Sequence, residues 1–246
     1  MIVLQVGRFL KISTKQIIIT CEHGGNQVPA EYRYIFKNKK LVLQSHRGYD
    51  AGALQVAKNI SETIKAPLIF SETSRLLIDL NRSLHHHHLF SEFTRGCNKI
   101  IKAEILDKYY LPYRNRVEKK IRYISQSGRP VIHFSIHTFT PKLRNEIRNS
   151  DIGLLYDPAR GKETALCKTL QLIMKNTSTP LIIRRNYPYQ GKADGFTTYL
   201  RKQFSQSKYL GVEIEINQKH FNSTKNWTHI NNHVMNSIMQ LIRQTV

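Results

Sequence analysis

The stretch PVIHFSIHTF, residues 130–139, decides the fold. β-Branched and aromatic residues dominate it, a proline opens it, and its length suits a strand crossing the middle of a sheet. Successive side chains of a strand point to opposite faces, so His133, Ser135 and His137 share one face, with His137 near the carboxyl end.

Working outward, apolar runs alternate with helical patterns. QIIITC (16–21), APLIFS (66–71), LLIDL (76–80), IGLLYD (152–157), PLIIRRN (180–186) and YLGVEIEIN (209–217) read as strands. DAGALQVAKNISETIK (50–65) reads as a helix striped by Leu54, Ala57, Ile60 and Ile64. ILDKYYLPYRNRVEKKIRYIS (105–125) reads as largely helical, with Pro112 starting or kinking a segment. KETALCKTLQLIMKN (162–176) is a further helix, and a last one around 228–244 is striped by Ile230, Val234, Ile238 and Leu241. This alternation predicts an α/β protein, three layers around a mostly parallel sheet. No repeat or composition break divides the chain, so residues 1–246 read as a single domain.

Composition narrows the class. Of 246 residues, 38 are Lys or Arg and 17 Asp or Glu, a net charge of +21. A basic nucleic-acid-binding protein would carry such a surplus, yet the basic residues are dispersed and form no recognisable nucleic-acid module. No apolar run approaches the roughly 20 residues that span a bilayer. MIVLQVGRFLKIS at the start lacks the pattern of a secretory signal. Cys21, Cys97 and Cys167 are odd in number and widely spaced, which suits neither a disulfide framework nor a paired-cysteine zinc motif and makes the cytoplasm the expected compartment. His85–His88 read as a loop run, since four consecutive side chains cannot face one site.

In an open α/β sheet, ligands bind beyond the carboxyl ends of the strands. The first strand ends there in His23, the strand at 130–139 in His137, and the strand at 209–217 carries Glu213 and Glu215 on one face. Two histidines and an acid in such positions suit a hydrolytic zinc site with one position left for water. Each also has a structural reading, as a hydrogen-bonded core histidine or a surface ion pair. Gly24 and Gly25 after His23 read as backbone freedom where a metal must approach. Arg75, Asn81 and Arg82 surround a short apolar run; a guanidinium grips carboxylates in two-pronged fashion, or it pairs with Asp79.

The blocks CEHGGNQVPAEY, HRGYDAGA, SRLLIDLNRS followed by LFSEFTR, YYLPYRNRVE, IHFSIHTFTP, DIGLLYDP, NYPYQGKADGFTTYLRK and GVEIEIN occur in order between residues 17 and 217. Together they resemble the N-formylglutamate amidohydrolases. The resemblance implies a phosphorylase/hydrolase-like α/β fold akin to zinc carboxypeptidases and aspartoacylases, and hydrolysis of a small anionic N-acyl amino acid. It implies no specific nucleic-acid partner. By this resemblance His23 and His137 are zinc ligands, Glu215 is the general base, Asn81 and Arg82 bind a carboxylate, and Arg75 polarises the scissile carbonyl. Related zinc peptidases place a glutamate three residues after the first histidine. That position is Asn26 here, a poor ligand, so Asp50 is the preferred third ligand, against its alternative as a helix N-cap. NYPYQGKADGF is expected to form a substrate loop in which Asp194 and Gly195 shape a turn and Arg185, Tyr187 and Lys192 touch the substrate. A binding protein on the same fold that has lost its activity stands as a further alternative.

Overall fold

A computed structural model describes residues 13–176 and 180–244. Residues 1–12, most of the segment read above as lacking a secretory signal, lie outside them. The strands are β1 (Ile17–Cys21), β2 (Leu68–Phe70), β3 (Val131–Phe139), β4 (Lys142–Leu143), β5 (Glu146–Ile147), β6 (Ile152–Leu155), β7 (Ile183–Arg185) and β8 (Tyr209–Asn217). The helices are α1 (Lys40–Leu43), α2 (Ala53–Ile64), α3 (Lys99–Ile105), α4 (Leu111–Ser125), α5 (Gly161–Lys175), α6 (Phe196–Gln203) and α7 (Thr224–Gln244). Six strands form one sheet in the order β2-β1-β3-β8-β6-β7. The first four are mutually parallel; β6 joins β8 antiparallel and β7 follows β6 in parallel. β4 and β5 form a separate antiparallel hairpin.

β3 is buried at all nine positions, as its sequence requires of a central strand. On one face Ile132, Phe134 and Ile136 join Ile17 and Ile19 of β1 and Leu210, Val212, Ile214 and Ile216 of β8, covered by apolar stripes of α2, α5 and α7. The stripe positions Ala57, Ile60 and Ile64 of α2 and Ile230, Val234, Ile238 and Leu241 of α7 all lie in this core. The opposite face packs on α4 and α6 through Ile18, Val131, Tyr209, Val117, Ile121, Phe196 and Leu200. Its central part is polar: Thr20, His133, Ser135, His137, Glu213 and Glu215 are all buried.

Several elements depart from the sequence reading. LLIDL at 76–80 is no strand. Its backbone groups are satisfied by turns and side chains instead: Leu77 N–H bonds Ser74 O, Asp79 N–H bonds Leu89 O, and Leu76 O accepts from Ser91 Oγ. Its leucines are buried all the same, and a short apolar run does not distinguish a strand from any other buried segment. The segment read as helical at 105–125 is one wide turn, Leu106–Tyr110, followed by α4, and it continues directly from α3, which begins before that range at Lys99. Pro112, which has no N–H to donate, falls in the first turn of α4. The loop predicted at 186–196 ends in α6, and the β4–β5 hairpin was not anticipated.

The glycines after His23 are also needed for a different reason. Neither has a positive φ. A Cβ on Gly25 would sit 2.5 Å from the carbonyl oxygen of Glu72, and one on Gly24 would sit 2.9 Å from that of Ser71. They allow two backbone segments to pack closely. Among the described residues no helix is long and apolar enough to cross a membrane. The three cysteines are free thiols, with Cys21 and Cys167 buried.

Two predictions follow from this packing. Gly153 of β6 lies opposite Glu215, and a Cβ there would sit 1.9 Å from the carbonyl oxygen of Tyr187. Gly153→Ala is expected to lower stability by about 1–3 kcal/mol in denaturant unfolding, because backbone cannot yield as a side-chain tip would. Burial pushes His133 down from 6.5 to about 4, the charge of Glu22 only partly offsetting it. The unfolded chain therefore takes up a proton here between pH 6.5 and about 4 that the folded chain refuses. The His133 contribution to stability falls as pH falls through that window, by at most about 3 kcal/mol. His133→Gln, which does not titrate, should flatten that part of the stability–pH curve relative to the wild type.

Candidate active site

β1 ends at Cys21, and the next two residues, Glu22 and His23, are still buried at the rim of the sheet. Parallel pairing of β3 with β8 sets Ser135 beside Glu213 and His137 beside Glu215. Asp50 arrives from the loop before α2. Its N–H bonds the His23 carbonyl oxygen at 2.9 Å, which fastens that loop to the end of β1. The alternative reading of Asp50 as a helix cap falls away. The N-cap is Gly52, at φ 78, a left-handed conformation that glycine adopts without strain. The Asp50 carboxylate is thereby left to face the histidines.

His23, His137 and Asp50 form a cluster in which one ligand atom from each lies within 4.8 Å of the others. Asp50 Oδ2 is 2.8 Å from His137 Nδ1 and 3.4 Å from His23 Nδ1. The far nitrogens are engaged outward. His23 Nε2 lies 2.7 Å from Asp79 Oδ1. His137 Nε2 lies 2.9 Å from Ser135 Oγ and 3.3 Å from Glu22 Oε2. Ser135 Oγ donates to Glu22 Oε2 at 2.6 Å, and Tyr113 donates to Glu22 Oε1 at 2.9 Å. With an Nε2–H on each ring, both neutral imidazoles turn an Nδ1 lone pair towards Asp50. His23 Nδ1 is buried and has no hydrogen-bond partner. Lone pairs converging in this way need a proton or a cation between them. Two imidazoles and a carboxylate, each imidazole backed by an outer carboxylate, are a donor set that could hold a divalent metal ion.

The electrostatics favour positive charge at the centre. Burial works against ionising Asp50, but His23 and His137 hold it well below the usual carboxylate range. Burial likewise opposes ionising Asp79, which Arg75 and then His23 keep low, and Glu22, which His137 keeps low. Burial and Arg75 press His23 down, yet Asp79 and Asp50 leave it raised. His137 is raised well above its ordinary value, its burial outweighed by the hydrogen bonds to Asp50 and Glu22. Arg75 belongs to this network, with Nη2 at 2.7 Å from Asp79 Oδ2 and Nη1 at 3.3 Å from Asp50 Oδ1.

The cluster opens into a cavity of about 460 Å³. His23, Asp50, Arg75, His137 and Glu215 line it, and so do Asn81, Arg82, Asp194 and Glu213. The two strand glutamates differ sharply. Glu213 accepts a hydrogen bond from Thr197 Oγ1. Glu215 Oε2 is buried without a partner. Burial, with Asp50 and Glu213 adding to it, raises Glu215 to about 7 against the opposing pull of His137 and Arg75. Asn81 Oδ1 accepts from the Phe196 N–H, and Arg82 Nη1 donates to the Asp194 carbonyl oxygen at 2.9 Å, so this pair ties the mouth of the cavity to the start of α6. Gly195 sits behind Asn81, where a Cβ would come within 3.3 Å of its Oδ1.

Arg185, Tyr187 and Lys192 do not line the cavity. Arg185 is exposed and reaches Tyr156, Arg184 lies over the Tyr187 ring, and Lys192 is exposed. Their places on the wall are taken by Pro188, Tyr189 and Gln190 of the same loop. Asn26 is likewise absent from the wall. Glu22 was missed, although it immediately precedes His23 in the sequence. Asp79, considered only as an ion-pair partner of an arginine, pairs with Arg75 and also orients His23. The rings of His86, His87 and His88 pack against one another, His86 stacked on His87 and His88 tilted, instead of joining the cluster.

A family model described as N-formylglutamate amidohydrolase matches residues 15–221. Among solved structures, a gene product of Agrobacterium tumefaciens is similar at 26% identity and TM-score 0.78, over 93% of this chain and 91% of that one. An N-formylglutamate amidohydrolase from Ralstonia eutropha JMP134 shares the fold at 13% identity and TM-score 0.69, over 97% of this chain and 95% of that one. A search of curated proteins returned no significant match.

Proposed function

The chain belongs to the N-formylglutamate amidohydrolase family, and on that premise we propose that it is a zinc-dependent amidohydrolase that splits an N-formyl amino acid such as N-formylglutamate into formate and the free amino acid. The observation that carries this reading is that two buried atoms without a hydrogen-bond partner, His23 Nδ1 and Glu215 Oε2, belong to residues on the wall of one cavity. His23, His137 and Asp50 would hold the metal. When bound, zinc would polarise the acyl carbonyl and acidify a water.

The chain's own residues carry the rest. Glu22 and Asp79 fix the two imidazoles with Nδ1 inward. Arg75 holds Asp50 and Asp79 in place and sets its positive charge beside the carbonyl oxygen as that oxygen becomes negative. Glu215, raised to about 7 chiefly by burial, is poised to take the proton of the attacking water and return it to the leaving amine. Asn81 and Arg82 would bind a carboxylate of the substrate at the cavity mouth.

The deciding experiment is formate release from N-formylglutamate, and from other N-formyl and N-acetyl amino acids, by protein of measured metal content. Glu215→Gln is expected to lower kcat by a factor of about 10²–10⁴ without changing metal content. If Glu213→Gln has that effect and Glu215→Gln does not, the base has been assigned to the wrong strand position. A chelator should abolish turnover and added zinc restore it.

Metal affinity should depend on pH. Protons compete for both histidines, which their carboxylate neighbours hold above the ordinary 6.5. Competition titrations against a chelator should show affinity falling steadily from pH 8 to pH 6, and a flat profile would remove the histidines from the metal site.

A further inference from the structure

One cation beside the cavity has no part in the scheme above. Arg148 follows the β4–β5 hairpin and is 4% exposed. Its backbone is fixed on both sides: its N–H bonds Pro141 O at 2.8 Å, and its carbonyl oxygen accepts from Asn217 Nδ2 at 2.9 Å. Its Nη1 donates to the Tyr189 hydroxyl at 2.9 Å, and its guanidinium carbon lies 4.9 Å from the centre of the Tyr189 ring. Its Nε is buried and has no partner. No carboxylate pairs with it among the described residues. Asp151, three residues on, is taken by Lys219 and His220. Arg75, by contrast, faces two carboxylates. A guanidinium buried without a counter-charge is costly to a fold, and sites that tolerate one commonly use it on an anion.

Tyr189 connects that charge to the cavity. It lines the wall with His23, His137 and Glu215, and it is 44% exposed. Because its oxygen accepts from Arg148, its own hydrogen remains available for donation to an acceptor. A hydroxyl polarised by a guanidinium is a strong donor, and a carboxylate is its natural acceptor.

We propose that Tyr189, polarised and held by Arg148, binds a carboxylate of the substrate on the leaving-amine side of the scissile amide. Tyr189 is then the binding residue and Arg148 its positioning residue. With Asn81 and Arg82 taking another carboxylate, the Tyr189–Arg148 pair would account for a preference for a diacid over its amides. This inference rests on the amidohydrolase reading.

The test uses zinc-supplied protein and three substrates: N-formylglutamate, its α-amide, and N-formylglutamine. Wild type should prefer the diacid to at least one amide. Tyr189→Phe and Arg148→Gln should each reduce that preference about 10- to 100-fold, through KM, since a hydrogen bond to a charged group is lost. Arg148→Lys should retain part of it. A purely structural role for Arg148 would lower its melting temperature without changing the preference. Should Arg148→Gln fail to fold, the exposed Tyr189→Phe decides alone, and an unchanged preference there overturns the proposal. Calorimetric titration with glutarate separates this idea from the one beneath it. Glutarate binding that weakens in Tyr189→Phe, in a protein that hydrolyses none of the three compounds, would sink the hydrolase reading and leave the subsite standing. A wild type that does not bind glutarate overturns the subsite.

Discussion

The central strands β1, β3 and β8 bury a face that is polar, and satisfying that face constrains the rest of the molecule. An unpaired polar group left in such a place costs about 1–3 kcal/mol, so most residues of the stripe recruit a partner from elsewhere in the chain. His133 sits between Thr20 and Tyr209, with both ring nitrogens at 2.7 Å from a hydroxyl. Ser135 donates to Glu22, which Tyr113 of α4 also reaches. Glu213 takes the hydroxyl of Thr197 in α6. Arg201 of α6 is buried against Glu163 of α5 and the carbonyl oxygen of Gly211. Helices on this side of the sheet are thus positioned by polar contacts as well as by packing.

Against that background of satisfied groups, the exceptions in the stripe and at its rim carry information. His23 Nδ1 and Glu215 Oε2 are left without partners at the one end of the sheet where the cavity opens. A network this closely paired elsewhere makes two atoms without a hydrogen bond, on residues of one cavity wall, a sign of chemistry. Arg75 reconciles the charges. By bridging Asp50 and Asp79 it lets two carboxylates stand beside one histidine, one at each ring nitrogen of His23.

Much of this was legible in the chain. The central strands follow from β-branched and aromatic alternation, which is a local property: YLGVEIEIN at 209–217 is a strand to the residue. His23, His137 and Glu215 stood out because strand ends are where α/β sheets bind ligands. Segments whose conformation depends on distant partners were harder to read. LLIDL is apolar enough for a strand, but its neighbours offer turns and hydroxyls and no ladder. Tyr189 could not be separated from Tyr187, two residues away in a loop, because no periodic pattern says which ring faces inward.

The sequence by itself determined the layered α/β class, the central strands and the identity of the residues at their ends, since alternation and strand length act over a few residues. Only the tertiary structure decided what those residues do to one another. Whether Asp50 caps a helix or meets the histidines depends on a left-handed Gly52 and on a backbone bond to His23. Whether Glu213 or Glu215 is free depends on where Thr197 arrives from α6. Whether an arginine faces acids or stands unpaired, as Arg75 and Arg148 do, depends on elements up to dozens of residues away. These outcomes are set by contacts between segments remote in sequence, because charge pairing in a buried site depends on which groups those contacts bring within reach.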